Sequence, residues 1–423
     1  MAQAPSKPSI LIIGTADTKS DELLFLRQCV VAGGGEARVM DVGVLGEAPF
    51  EPEHDRHAVA AAAGTTIEAI AALGDENEAM TAMARGAGTL ARLLEGEGRL
   101  HGMVALGGTM GTDLALDVAL ALPTGVPKVV LSTIAFSHLI PPQRIAPDLT
   151  MMLWAGGLYG LNDICRSSLA QAAGAVLGAA RGGFEARSAR PVVGMTSLGR
   201  SCLSYMVALK PALAARGYEL AVFHTTGMGG RAFETLAAQG QFVAVMDFSL
   251  QELANQLNGS VVSAGPDRLE AAGRAGVPQI VAPGAIDLID LPAWQEVPAR
   301  YARRAYHAHN RLIASVTMTP EERRAAARAV GEKLALARGP TSFVLPLRGI
   351  EQWDRPGEAL HDPRGLAAFV DETRRAIRPP AELVEVDAHI NDAAFTDAVL
   401  AIFDRWVREG VVAPPSPTRA PQR

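Results

Sequence analysis

The 423-residue sequence predicts an α/β protein: two mostly parallel sheets, each flanked by helices. Three observations carry that expectation. Short apolar runs stop at a glycine or small polar residue and lead into a helical pattern, the signature of a strand–loop–helix unit. The alternation restarts at Pro191, after a polar, glycine-rich stretch over 181–187 that reads as a boundary. Hydrophobic residues make up 48% of the chain and glycines number 42, which suits large cores joined by tight loops. At about 150 residues per domain the length asks for two or three domains. The expected division is 1–183, 184–412 and a proline-rich, disordered tail over 413–423.

The first unit opens on the apolar run Ile10–Ile13, broken by Gly14. Thr15-Ala16-Asp17-Thr18-Lys19-Ser20 follows, then Leu23, Leu24 and Leu26 at helical spacing. In an open parallel sheet such a loop lies at the carboxyl edge, where ligands bind. Its backbone amides and the helix N-terminus attract anions, and Lys19 adds a positive charge, so a phosphate site is expected. The spacing lacks the second glycine of a P-loop and the three glycines of the dinucleotide fingerprint. An ordinary turn with Asp17 or Thr18 as helix cap is the competing reading. A second strand, Glu36–Val42, places Asp41 near its end, as a ribose ligand or a plain turn carboxylate. Helical patterns are expected over Ala58–Leu73 and Glu76–Glu95. A further strand then meets Gly107, Gly108, Thr109, Gly111 and Thr112 before a helix at Leu114–Leu122. Glycines there permit close backbone approach to a ligand, or tight helix–sheet packing. Two such loops at strand ends favour a pocket.

The second half repeats the pattern, with strands expected at Val192–Met195, Leu220–His224, Phe242–Asp247, Val261–Ser263, Gln279–Ala282, Phe343–Leu347 and Leu383–Val386. The loop from Thr225 to Arg231 is glycine-rich and precedes a helix. Arg231 in a first turn opposes the helix dipole unless an anion or acidic partner lies near. A second anionic-ligand site is therefore expected from Ser197, His224, Gly227, Gly229, Gly230 and Arg231. Ser201, Cys202, Asp247 and Asp287 also fall near strand ends. A Ser–His–Asp triad is conceivable, yet no G-x-S-x-G elbow exists and caps and turns explain each residue. Ser249 with Glu252, and Thr319 with Glu322, have capping-box spacing. His307 and His309, with Arg303, Arg304 and Arg311, read as a solvated basic helix face.

A formal charge of −6 argues against a nucleic-acid surface, which needs a basic stripe. Three scattered cysteines without a CxxC pair fit a reducing compartment and make structural zinc improbable. Neither a signal segment nor a membrane span is expected, which suggests a cytoplasmic protein. Alanine-rich helices with apolar surface make a homo-oligomer plausible.

Several motifs together resemble the Tm-1-like ATP-binding family, also called uncharacterised protein family 0261. They are Gly14-Thr15-Ala16-Asp17-Thr18-Lys19, Gly107-Gly108-Thr109-Met110-Gly111-Thr112, and His224-Thr225-Thr226-Gly227-Met228-Gly229-Gly230-Arg231. Ser263-Ala264-Gly265-Pro266-Asp267-Arg268-Leu269 and His309-Asn310-Arg311 belong to the same set. The resemblance implies two Rossmann-like domains with ATP in the first. Gly14, Thr15, Asp17, Thr18 and Lys19 would meet the phosphates with Gly107, Gly108, Thr109, Gly111 and Thr112. Asp41 would hold ribose and Asp17 would position Mg²⁺, since hard cations prefer oxygen ligands. Alternatives are an ATP-dependent or ATP-regulated enzyme acting on a small acidic or phosphorylated metabolite, and a non-catalytic regulatory module.

Overall fold

A computed structural model of the chain describes residues 7–182, 190–199 and 204–415. Two compact units divide near residue 185.

In the first unit the chain runs β1 (Ser9–Gly14), α1 (Ser20–Ala32), β2 (Glu36–Asp41), α2 (Arg56–Ala62), α3 (Ile67–Ala71) and α4 (Glu76–Gly96). It continues through β3 (Gly102–Gly107), α5 (Thr109–Ala121), β4 (Lys128–Ser132), β5 (Leu149–Leu153) and α6 (Asp163–Arg181). The five strands form one parallel sheet in the order β2-β1-β3-β4-β5. The strands are apolar on both sides because helices cover both faces. Leu11, Ile13, Met103 and Ala105 pack with Met83, Leu114 and Val118 on one face. Ile10, Ile12, Val104 and Leu106 pack with Leu23, Leu26, Leu169 and Val176 on the other. Burying one such aliphatic side chain contributes about 1.5–3 kcal/mol. The helix expected over Ala58–Leu73 is two short ones: Gly64 turns at φ +79° and Thr66 caps the second. The helix expected from Leu114 begins at Thr109, because Gly108 already serves as its N-cap.

The second unit contains β6 (Val192–Ser197), α7 (Ser204–Ala215), β7 (Glu219–His224), α8 (Met228–Ala238), β8 (Ala244–Ser249), α9 (Gln251–Leu257) and α10 (Ala271–Ala275). β9 (Gln279–Gly284), β10 (Leu288–Pro292), β11 (Tyr306–Ala308) and β12 (Ile313–Thr317) follow. Then come α11 (Pro320–Leu334), β13 (Thr341–Pro346), α12 (Pro363–Ala376), β14 (Ala381–Val386) and α13 (Ala393–Arg408). A six-stranded parallel sheet has the order β14-β13-β9-β8-β6-β7. A separate antiparallel sheet, β10-β12-β11, is inserted between β9 and β13. The strand expected at Val261–Ser263 is irregular chain. His307 and His309 belong to β11 and its edge, not to a helix, and their rings rest on Trp353. Thr319 and Glu322 make the expected capping box of α11. Ser249 and Glu252 do not, for reasons given below. At the start of the tail the Tyr218 hydroxyl donates to the Ala413 carbonyl at 2.9 Å.

Candidate functional site

In the first sheet the strand order reverses between β1 and β3, so a crevice opens beyond their carboxyl ends. The loop after Gly14 is wound tightly. The Thr15 carbonyl accepts the amides of Thr18 and Lys19, at 3.3 and 2.9 Å, and the Thr15 and Thr18 hydroxyls meet at 2.8 Å. Asp41 welds this loop to the next one. Its Oδ1 accepts the amides of Ala16 and Gly43, each at 2.9 Å, and the side chain is buried. Burial raises its pKa from the ordinary carboxylate value. Asp41 is thus a loop tie, with no exposed edge for the ribose contact expected of it.

Among the described residues of this unit, α2, α3, α4 and α6 begin on side-chain caps from Asp55, Thr66, Asp75 and Asn162. α1 and α5, which leave the ends of β1 and β3, begin on none. Their first-turn amides therefore have no acceptor among the described residues. Gly107 is needed for packing: a Cβ there would lie 2.6 Å from the Gly111 Cα. Gly108 is open, its Cβ position 3.9 Å from the Thr133 hydroxyl. Thr109 is exposed, whereas Thr112 is buried and shares a 2.7 Å hydrogen bond with the Ser132 hydroxyl, which removes it as a phosphate donor.

Beside these loops lies a hollow of about 380 Å³. Thr15, Asp17 and Thr18 border it from one loop and Met110 from the other. Val42, Leu45, Ile70 and Met80 make its wall largely apolar. Asp17 borders it, and its Oδ1 is buried without a hydrogen-bond partner. Lys19 is not in the lining. Its Nζ sits over the Tyr159 ring, 4.6 Å from the centroid, rather than over the hollow.

The glycine loop of the second unit does cradle an anion, but the protein supplies it. Gly227 turns at φ +94°, and its amide and that of Gly230 donate to Glu252 Oε1 at 2.6 and 3.1 Å. A Cβ on Gly230 would fall 1.6 Å from Glu252 Oε2, and one on Gly229 would fall 1.8 Å from the His224 carbonyl. Glu252 is therefore drawn away from the capping position next to Ser249, whose hydroxyl instead meets Thr225 at 2.6 Å. Arg268 completes the arrangement. Its guanidinium donates to Asp247, Glu234 and Glu252 at 2.5–3.0 Å, all four side chains being buried. Burial pushes Glu252 up to about 7, against the pull of Arg268. Arg231 donates twice to Asp267, at 2.8 Å, so an internal carboxylate answers its charge. The expected anion site at Gly227, Gly229, Gly230 and Arg231 is thus already filled from within. Ser197 is buried, its carbonyl accepting the Thr225 amide, and His224 faces a different cavity. Arg200, Ser201 and Cys202 lie outside the described residues.

Residues 8–184 match the uncharacterised protein family (UPF0261) N-terminal domain, and residues 190–407 match its C-terminal domain. The chain belongs to the UPF0261 family. A UPF0261 protein of Brucella melitensis is 57% identical over 97% of this chain and 99% of its own length. One from Clostridium tetani is 34% identical over 92% of this chain and 96% of its own. The ToMV resistance protein Tm-1(GCR237) of Solanum lycopersicum is 28% identical over 95% of this chain, which spans 56% of that longer protein. No described helix is long and apolar enough to cross a membrane.

In this UPF0261 chain the quoted motifs hold residues whose tasks spacing alone does not reveal. Arg268, in the Ser263–Leu269 motif, is the cation of the buried acid cluster. His309 opens the His309-Asn310-Arg311 motif and is fixed by Ser315, which no local pattern flagged. Gln251 and Asp290 were also missed. A polar residue inside an apolar strand, as Asp290 is between Ile289 and Leu291, was the available signal.

Proposed function

We propose that the N-terminal unit binds a nucleotide, ATP with Mg²⁺, at the carboxyl edge of its sheet. The observation that carries this is the pair of uncapped helix N-termini, α1 and α5, leaving neighbouring strands at the reversal point. Two sets of free amides aimed at one edge suit a polyphosphate. The apolar hollow beside them suits a base. Among the described residues no set of three or more His, Cys, Asp or Glu side chains forms a metal site. The orphaned Asp17 oxygen fits a hard cation that draws its other ligands from phosphate and water. Magnesium would neutralise phosphate charge there, and Asp17 would otherwise repel it. Thr15, Thr18 and Thr109 would donate hydroxyl hydrogen bonds to it. Thermal-shift measurements with Mg-ATP, ATP plus chelator, and adenosine test the reading. Stabilisation is expected to be largest for Mg-ATP; equal shifts with buffer alone would refute it.

A further inference from the structure

A larger cavity, about 740 Å³, lies wholly within the C-terminal unit. It opens between the ends of β6 and β7 and the antiparallel sheet, with His224 and Thr226 on one side and His307 and His309 on the other. Its volume falls in the range of small-molecule sites.

A hydrogen-bonded chain sets one wall. Asn255 Nδ2 donates to Asp290 Oδ2 at 2.9 Å, and the Ser315 hydroxyl donates to Asp290 Oδ1 at 2.6 Å. Burial raises Asp290 to about 6, which leaves it ionised at neutral pH and able only to accept. With its proton committed to Asp290, Ser315 Oγ accepts from His309 Nε2–H, at 2.8 Å. The His309 tautomer follows: Nε2 carries the proton and Nδ1 presents a lone pair. Burial, with His307 beside it, lowers His309 to about 4, so the ring stays neutral.

A second acceptor is unmet. Gln251 is 1% exposed and borders the cavity, yet its Oε1 has no hydrogen-bond partner. Trp353, in contact with both histidine rings, gives an aromatic wall. Among the described lining residues there is no lysine or arginine, while Asp290 and Glu358 are acidic. A neutral ligand meets no like-charge repulsion from Asp290 and Glu358.

We propose that this cavity binds a neutral polyhydroxylated small molecule, of the sugar or polyol class, whose hydroxyls donate to His309 Nδ1 and Gln251 Oε1. Hydroxyl donors satisfy both acceptors, and the carbon-bound face of such a molecule lies against Trp353. The assignment uses the C-terminal unit alone, so it stands or falls separately from the nucleotide reading.

Saturation-transfer NMR on the full chain tests it, with erythritol, xylitol, D-xylose and D-glucose as neutral probes, D-gluconate as the anionic control and ethanolamine as the cationic one. At least one neutral probe is expected to bind, and His309→Ala and Gln251→Met are each expected to weaken it about ten-fold or more. On the unaltered sequence the same probe slows diethyl pyrocarbonate modification of His309, read by mass spectrometry. This readout decides the matter where a variant does not fold. Binding of gluconate or ethanolamine alone, no binding at all, affinity unchanged in both folded variants, or an unprotected His309 overturns the proposal.

Discussion

Arg268 and Asp247 meet through two hydrogen bonds, Nη1 to Oδ2 at 2.5 Å and Nη2 to Oδ1 at 2.7 Å, with both side chains closed off from solvent. The same guanidinium answers Glu234 and Glu252. Removing it leaves buried carboxylates without their cation, a change that costs about 3–5 kcal/mol. Arg268→Ala is therefore expected to lower the urea midpoint of the C-terminal unit sharply. An unchanged midpoint would remove Arg268 from its central place in that unit.

Two glycine-to-alanine changes are expected to have opposite signs. At Gly230 the new methyl would collide with Glu252 and costs about 2 kcal/mol or more. At Gly178, exposed on α6 with open space around the added atom, the change stabilises by about 0.5–1 kcal/mol. Thermal unfolding of the two variants beside the parent chain checks the contrast. Equal effects would mean that the Gly230 loop is not tightly fitted to Glu252.

Stability is expected to fall between pH 7 and pH 9. Burial, reinforced by the Asp287 carboxylate, pushes Glu351 up to about 9. In the folded chain it holds its proton across that window, whereas in the unfolded chain it has lost it. A raised pKa gives stability that is full below the unfolded value and drains away as pH rises through the folded one. Asp354 and Glu252, each about 7, lose most of theirs earlier. His309 and His389, lowered to about 4, act in the opposite sense, losing stability as pH drops from the unfolded value towards 4. Glu351→Gln is expected to flatten the slope above pH 7; urea midpoints at the two ends of the window measure it.

The strands were legible because helices cover both faces of each parallel sheet, so the central strands are largely apolar runs, β1, β3 and β9 ending on glycine and β4, β6 and β8 on serine. The β10-β12-β11 sheet was not, since Asp290 interrupts the apolar pattern of β10 and β11 is three residues long. The tightness of the glycine loops was legible; what fills them was not. Glu252 has local capping-box spacing, yet amides 22 and 25 residues away and Arg268 claim its carboxylate. Lys19 likewise looks like a phosphate contact in its motif, and only the fold brings Tyr159 beneath it. Long-range partners decide both cases, and spacing along the chain does not encode them.

The central claim is that the free amides of α1 and α5 receive a nucleotide. Gly108 gives the sharpest handle, since its φ of −74° suits any residue and an added Cβ would lie no closer than 3.9 Å to a protein atom, the Thr133 hydroxyl. Gly108→Val is expected to fold normally while crowding the α5 N-terminus. Isothermal titration of Mg-ATP into the parent chain and into this variant is the direct test. The account predicts one site per chain, weakened about ten-fold or more by Gly108→Val. No heat of binding to the parent chain, or the same affinity in both, would contradict it.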